Sequence, residues 1–142
     1  MKKLRGRDIT DILAINELGA QLTIFRMADV EFIGIQTPVE IAKACPNLIE
    51  LRLPYLSDGS ILEHLPRNLR IFEVAIAAMA RTLSLADLFA YSRSERGHQL
   101  RTILIHSVSF GSGYPSDADM VAACQPFGLE CYKDGHDWEI LL

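Results

Sequence analysis

Apolar residues along this chain follow two alternating rhythms. The shorter is seen in Leu48-Ile49-Glu50-Leu51-Arg52-Leu53, where leucines hold the first, fourth and sixth places. The same spacing returns at Leu22, Phe25 and Met27, at Leu69, Phe72 and Val74, and at Leu100, Ile103 and Ile105. A degenerate copy begins at Leu129, where Tyr132 fills the second slot and Asp134 breaks the third. Alternation at the end of each copy predicts a short strand with one buried side. Between the copies the spacing turns helical. From Asp8 to Gln21, a stripe of Ile9, Ile12, Leu13, Ile15 and Leu18 continues to Leu22. From Thr37 to Ala44, Thr37 is placed to cap, Pro38 to take the first helical position, and Glu40 to sit in the first turn. Ser60 opens a shorter helix through Leu65, stopped by Pro66. Leu83 to Arg96 predicts the longest helix, and Ser116 to Cys124 the last, with Asp117 and Asp119 near its positive end.

The copies start 26, 21, 31 and 29 residues apart, close to the 20–29 of a leucine-rich repeat. Three places ahead of each leading leucine stand Gly19, Cys45, Pro66, Gly97 and Pro126, small or turn-forming residues suited to a bend that feeds a strand. Strand and helix in alternation favour parallel pairing, because a helix supplies the crossover that parallel neighbours need. The expected fold is therefore α/β, a short right-handed leucine-rich-repeat solenoid filling residues 1–142. It would carry a parallel sheet of about five strands on its concave face and helices on its convex face. A capping helix is expected over residues 8–21, and repeat strands near 22, 48, 69, 100 and 129. Two endings stay open: a fifth repeat, or a hairpin over 128–142 turning at Asp134-Gly135 and setting Cys131 opposite Trp138.

The stretch Cys45-Pro46-Asn47-Leu48-Ile49-Glu50-Leu51-Arg52-Leu53 resembles the cysteine-containing leucine-rich repeats of F-box proteins, in which a CPxLxxLxL pattern opens each strand. Leu65-Pro66-Arg67-Asn68-Leu69-Arg70-Ile71-Phe72 is similar to a related form in fungal F-box-type proteins. That resemblance implies a horseshoe whose concave sheet captures a protein, often a substrate of a ubiquitin ligase. The F-box itself, a helical module that docks on the ligase adaptor, has no match in this chain.

Composition narrows the function classes. A net charge of −4 and a charged fraction of 23% give no general pull toward nucleic acid or an anionic membrane. The basic start, Lys2, Lys3, Arg5 and Arg7, reads as a solvated end. No apolar run approaches the ~20 residues that span a bilayer, and Arg7, Asp8 and Asp11 interrupt the place of a secretory signal. Three widely spaced cysteines, Cys45, Cys124 and Cys131, point to reduced thiols in a cytoplasmic or nuclear protein. Cys131, Asp134, His136 and Asp137 mix soft and hard metal ligands, but Asp134-Gly135 marks them as a turn between strands. No cofactor is expected.

In such a repeat the residues between the apolar positions point out of the sheet. One outward column is then Arg26, Arg52, Glu73, Leu104 and Lys133, and the next is Ile24, Glu50, Ile71, Thr102 and Cys131. A third contains Ala28, Pro54, Ala75, His106 and Gly135, with Tyr55 among the residues at the strand ends. Apolar anchors among charges of both signs suit a protein partner, and Arg26, Glu50, Arg52, Tyr55, Ile71, Glu73, Leu104, His106 and Lys133 are the expected contacts. No active site is apparent. His64, His98, His106 and His136 lack metal-ligand or triad spacing. His106 and Ser107 are adjacent strand residues that face opposite sides. The alternative is a small nucleotide- or phosphate-binding α/β domain, using the Gly111-Ser112-Gly113 loop before the last helix. That loop has no third glycine and no following lysine, and Pro115 removes a donor.

Overall fold

A computed structural model describes residues 6–27, 37–76, 83–107, 116–135 and 137–142. The protein is mixed α/β, built on one open six-stranded sheet. Its strands are β1 (Ile24–Arg26), β2 (Glu50–Leu56), β3 (Ile71–Ile76), β4 (Thr102–Ser107), β5 (Glu130–Asp134) and β6 (Asp137–Leu141). They lie in the order β1-β2-β3-β4-β6-β5. The first four are parallel, and the β5–β6 pair adds two antiparallel strands at the β4 edge.

Each of the first four strands begins two residues after its leading leucine. The bend before it recurs as well. The Leu22, Leu69 and Leu100 N–H groups donate to the carbonyls of Gly19, Pro66 and Gly97, at 3.3, 3.2 and 3.0 Å. One residue on, the units join: Ile49 N–H donates to Thr23 O at 2.7 Å, Arg70 to Ile49 and Arg101 to Arg70, both at 2.8 Å. Leu48, Leu69 and Leu100 are buried in one apolar cluster, with Leu22 packed against it half-buried.

Strand alternation sends Phe25, Leu51, Phe72 and Ile103 inward, level with one another. Above them Val74, Ile105 and Trp138 continue the same buried side. The helices supply the rest of the core. They are α1 (Gly6–Ala14), α2 (Leu18–Gln21), α3 (Thr37–Ala44), α4 (Leu85–Ser92) and α5 (Asp117–Cys124), with short 3₁₀ segments at Ile15–Glu17, Gly59–Glu63 and Gln125–Phe127. Neighbour contacts run from α1 to α3, to the 59–63 segment, to α4 and to α5, so these elements form one row. Ile9, Leu13, Ile41, Ile61, Leu88, Phe89 and Met120 seal that row against the sheet.

Local chemistry adjusts the expected boundaries. The first helix does not run unbroken to Gln21, because Glu17 takes a left-handed φ of 57° between α1 and α2. Ile9 and Leu13 stay buried while Ile12, Ile15 and Leu18 are exposed. Asp58, not Ser60, caps the 59–63 segment, accepting the Ser60 N–H at 2.8 Å. Ser84 caps α4 at its start and Arg93 ends it, leaving eight residues. Ser116 and Asp119 form a reciprocal capping box at α5, each bond 3.2 Å. In β2 the register shifts between Arg52 and Leu56, where Pro54 has no N–H to give to a ladder.

The chain ends as a hairpin and not as a fifth parallel repeat. Asp134 pairs with Asp137, and Gly135, at φ 64°, lies inside the reversal. Asp134 is therefore the last ladder residue rather than part of the turn. Cys131 faces Ile140 and not Trp138, which faces Lys133. β6, not β5, is the neighbour of β4.

Candidate binding surface

The described helices share one apolar cluster with the inward residues of the strands, so the outward residues form the opposite face, fully buried at Ala75 but exposed or half-buried at Ile24, Arg26, Arg52 and Glu73. Its first four strands carry the columns expected from the sequence. Ile24, Glu50, Ile71 and Thr102 are level, as are Arg26, Arg52, Glu73 and Leu104. The charges within them are already paired. Arg26 Nη2 donates to Glu50 Oε2 at 2.7 Å, and Arg52 Nε donates to Glu73 Oε2 at 2.8 Å. Arg52 Nη1 also lies 3.9 Å from Glu50 Oε1. The result is a strip of alternating sign running across three strands.

Glu50 is the anchor of that strip, with a side chain only 8% exposed. A buried carboxylate is costly unless charge and hydrogen bonds compensate it, and here a guanidinium lies on each side. The hydrogen bond to Glu73 holds the Arg52 guanidinium above its ordinary pKa, against the opposing effect of burial. Both arginines are thus oriented before any ligand arrives.

The far half of the face differs from expectation. Its outward residues on β4, β6 and β5 are Thr102, Leu104, His106, Asp137, Glu139, Leu141, Glu130, Tyr132 and Asp134. Lys133 is a correction. It pairs with Trp138, an inward residue, and reaches the helix side, where Nζ lies 2.7 Å from Asp117 Oδ1 and 5.8 Å from the Trp138 ring centre. Tyr132 and Glu139 take the place next to Leu104, and Cys131 likewise points inward. The physical reason is the period of two: β6 entered the sheet beside β4, and β5 pairs outside it in a register one residue away from a repeat. The alternation of Trp138 and Ile140 with Asp137, Glu139 and Leu141 was the signal for this in the sequence.

This half is acidic and partly apolar. Tyr132, 53% exposed, donates to Glu130 Oε2 at 3.0 Å, a bond that raises the phenol above its usual pKa. His106 Nδ1 lies 2.8 Å from Asp137 Oδ1. That oxygen is shielded from solvent and accepts no well-aligned hydrogen bond from the described residues. A cavity of about 110 Å³ opens where the halves meet, bounded by Arg52, Glu73, Leu104, Asp137, Trp138 and Glu139.

Other expected features fall elsewhere. Cys131 is on the inward side while Asp134 and Asp137 are outward, so the sheet separates the mixed metal ligands. Among the described residues no group of three His, Cys, Asp or Glu side chains could hold a metal ion. Ala28, the Gly111–Gly113 loop and His136 lie outside the described residues, as does the side chain of Tyr55. His98 Nδ1 lies 2.7 Å from the Glu95 carbonyl, within its own turn. No described helix is long and apolar enough to cross a membrane. No family model, curated protein or solved structure matches this chain.

Proposed function

We propose that this protein is a short leucine-rich-repeat solenoid that binds another protein on the outward face of its sheet. The observation that carries the proposal is a face opposite the apolar cluster, preordered by the Arg26–Glu50–Arg52–Glu73 strip. Ordering long charged side chains before binding removes an entropy cost that a partner would otherwise meet. Ile24, Tyr132 and Leu141 add exposed apolar surface to the same face. The recurrent bend at Gly19, Pro66 and Gly97 supports the repeat architecture. The resemblance of Cys45–Leu53 to F-box repeats extends the proposal to the substrate-receiving part of a ubiquitin-ligase receptor, working in the cytoplasm or nucleus.

Charge indicates the partner's character. The outward positions of β4, β6 and β5 hold four carboxylates and neither lysine nor arginine, so the partner brings a basic rim around apolar anchors. Cross-linked capture from lysate tests this with paired variants. Leu104→Arg and Glu139→Lys are expected to lose the protein that the parent chain retains, while Glu40→Lys on α3 keeps it. Retention should also fall as salt rises. Capture that ignores Leu104 and Glu139 but is lost with Glu40 would place binding on the helices and end this reading.

A further inference from the structure

At the rim where the chain turns into its strands lies a second groove, of about 340 Å³. Three successive units build it: α3 contributes Lys43 and the bend after it Pro46, the exit from the 59–63 segment contributes Glu63, His64 and Arg67, and the turn after α4 contributes Arg96. Three permanent cations thus face one carboxylate in a chain of net charge −4.

Helix geometry explains part of this charge. Lys43 sits in the last turn of α3, where a cation offsets the negative helix end. Arg96 donates from Nη1 to the Glu63 carbonyl at 2.6 Å and from Nη2 to the Leu65 carbonyl at 3.5 Å. Those bonds fix the guanidinium at the groove and leave its other N–H groups unused. Arg67 is not explained this way. It is exposed and has no hydrogen bond or ion pair among the described residues. Arg96 and Arg67 both act on the half-buried Tyr91 phenol, each opposing the rise that burial imposes, so two guanidiniums from different units converge on one locality. Pro46 in the wall has its own φ fixed by its ring.

We propose that this groove binds a phosphate monoester through Lys43, Arg67 and Arg96. A phosphate monoester carries about −1.5 to −2 charges and three strong acceptor oxygens, which three cations from separate segments can share. A single carboxylate is satisfied by one guanidinium fork and has no use for the other two. The volume lies at the small end of ligand clefts, roughly 300–1,000 Å³, enough for a small ester or one phosphorylated side chain. Those two sources present the same chemistry. The site is separate from the sheet face, and neither proposal depends on the other.

Nuclear magnetic resonance titration of the full chain tests it, with inorganic phosphate, O-phosphoserine, a phosphoserine peptide and glutarate, each at matched ionic strength. Saturable shifts are expected at Lys43, His64 and Arg67, with none at Leu104. Arg67→Ala is expected to weaken binding about tenfold with an unchanged thermal melt, and Lys43→Ala, also at an exposed position, reads the same site independently. Saturation by O-phosphoserine identifies a small-molecule source, and saturation by the peptide alone identifies a phosphorylated side chain. Shifts that do not saturate, equal affinity for glutarate, or affinity unchanged in both variants would overturn the proposal.

Discussion

Arg52 and Glu73 stand level on β2 and β3 and are joined by a charge-assisted hydrogen bond of 2.8 Å on the outward side. One residue earlier in β2, Leu51 points the other way and is fully buried between Phe25 and Phe72. Adjacent positions therefore answer to different physics. Leu51→Ala removes buried methyl groups and is expected to cost about 2–5 kcal/mol. Arg52 is 37% exposed, so solvent screens its pairing, and a double-mutant cycle with Glu73 should give only about 0.5–1 kcal/mol. Urea melts of the four chains of that cycle and of Leu51→Ala check both figures. Equal damage from Leu51→Ala and Arg52→Ala would contradict the alternation of β2.

The bends before the strands make a second contrast. A Cβ built on Gly19 would strike the Ala44 carbonyl, and one on Gly97 would strike the carbonyl and ring of Tyr91. At Gly59 the added atom meets nothing within 4 Å. Gly19→Ala and Gly97→Ala are expected to destabilise by about 1–3 kcal/mol, as overpacking does. Gly59→Ala should be neutral or slightly stabilising, since it only restricts the unfolded chain. Thermal melts of the three single variants measure the difference.

Much of this architecture is legible in the sequence because repetition amplifies weak local signals. One LxxLxL is ambiguous, but Leu22, Leu48, Leu69 and Leu100 recur with a bend residue three places ahead, and their strands pair in the expected columns. The ending is less legible because Leu129 imitates the repeat while the chain after Asp134 must pair antiparallel to β4. An error of one residue there reverses every side chain, which is why Lys133 and Tyr132 exchange faces. The groove of Lys43, Arg67 and Arg96 leaves no local pattern at all, since its cations are brought together only by stacking three units.

Thiol chemistry offers a third check. Burial pushes the Cys45 thiol up to about 11, and burial together with the neighbouring Cys131 pushes Cys124 up to about 12, from an ordinary 9.0. Both thiols stay protonated and inaccessible in the folded chain, so Cys131, which is half-buried, should label first and the others only through opening. The linkage has a definite sign. The folded state holds these protons more tightly than the unfolded state, so their contribution is complete below about pH 9 and is lost as pH rises through 11 and then 12. The urea midpoint is expected to drop between about pH 8 and pH 10.5, and Cys45→Ala should show a smaller drop. An identical drop in that variant would separate Cys45 from the alkaline instability.

The final prediction concerns the strands that close the sheet. Trp138, the one tryptophan, is 6% exposed and level with Ile105 on β4. With Ile140, which is fully buried opposite Ile103, it covers the last parallel strand from one edge of the core. Without that cover the inward side of β4 and its strand edge would meet water. Trp138→Ala is expected to cost about 3–5 kcal/mol, most of a small domain's margin. In the parent chain the indole should emit at short wavelength and shift to the red in one step with urea. Lys133→Ala, which removes a cation above the ring but no buried surface, should cost no more than about 1 kcal/mol. A Trp138→Ala chain as stable as the parent would mean that β4 closes the core unaided, and that β5 and β6 are an appendage rather than a cap.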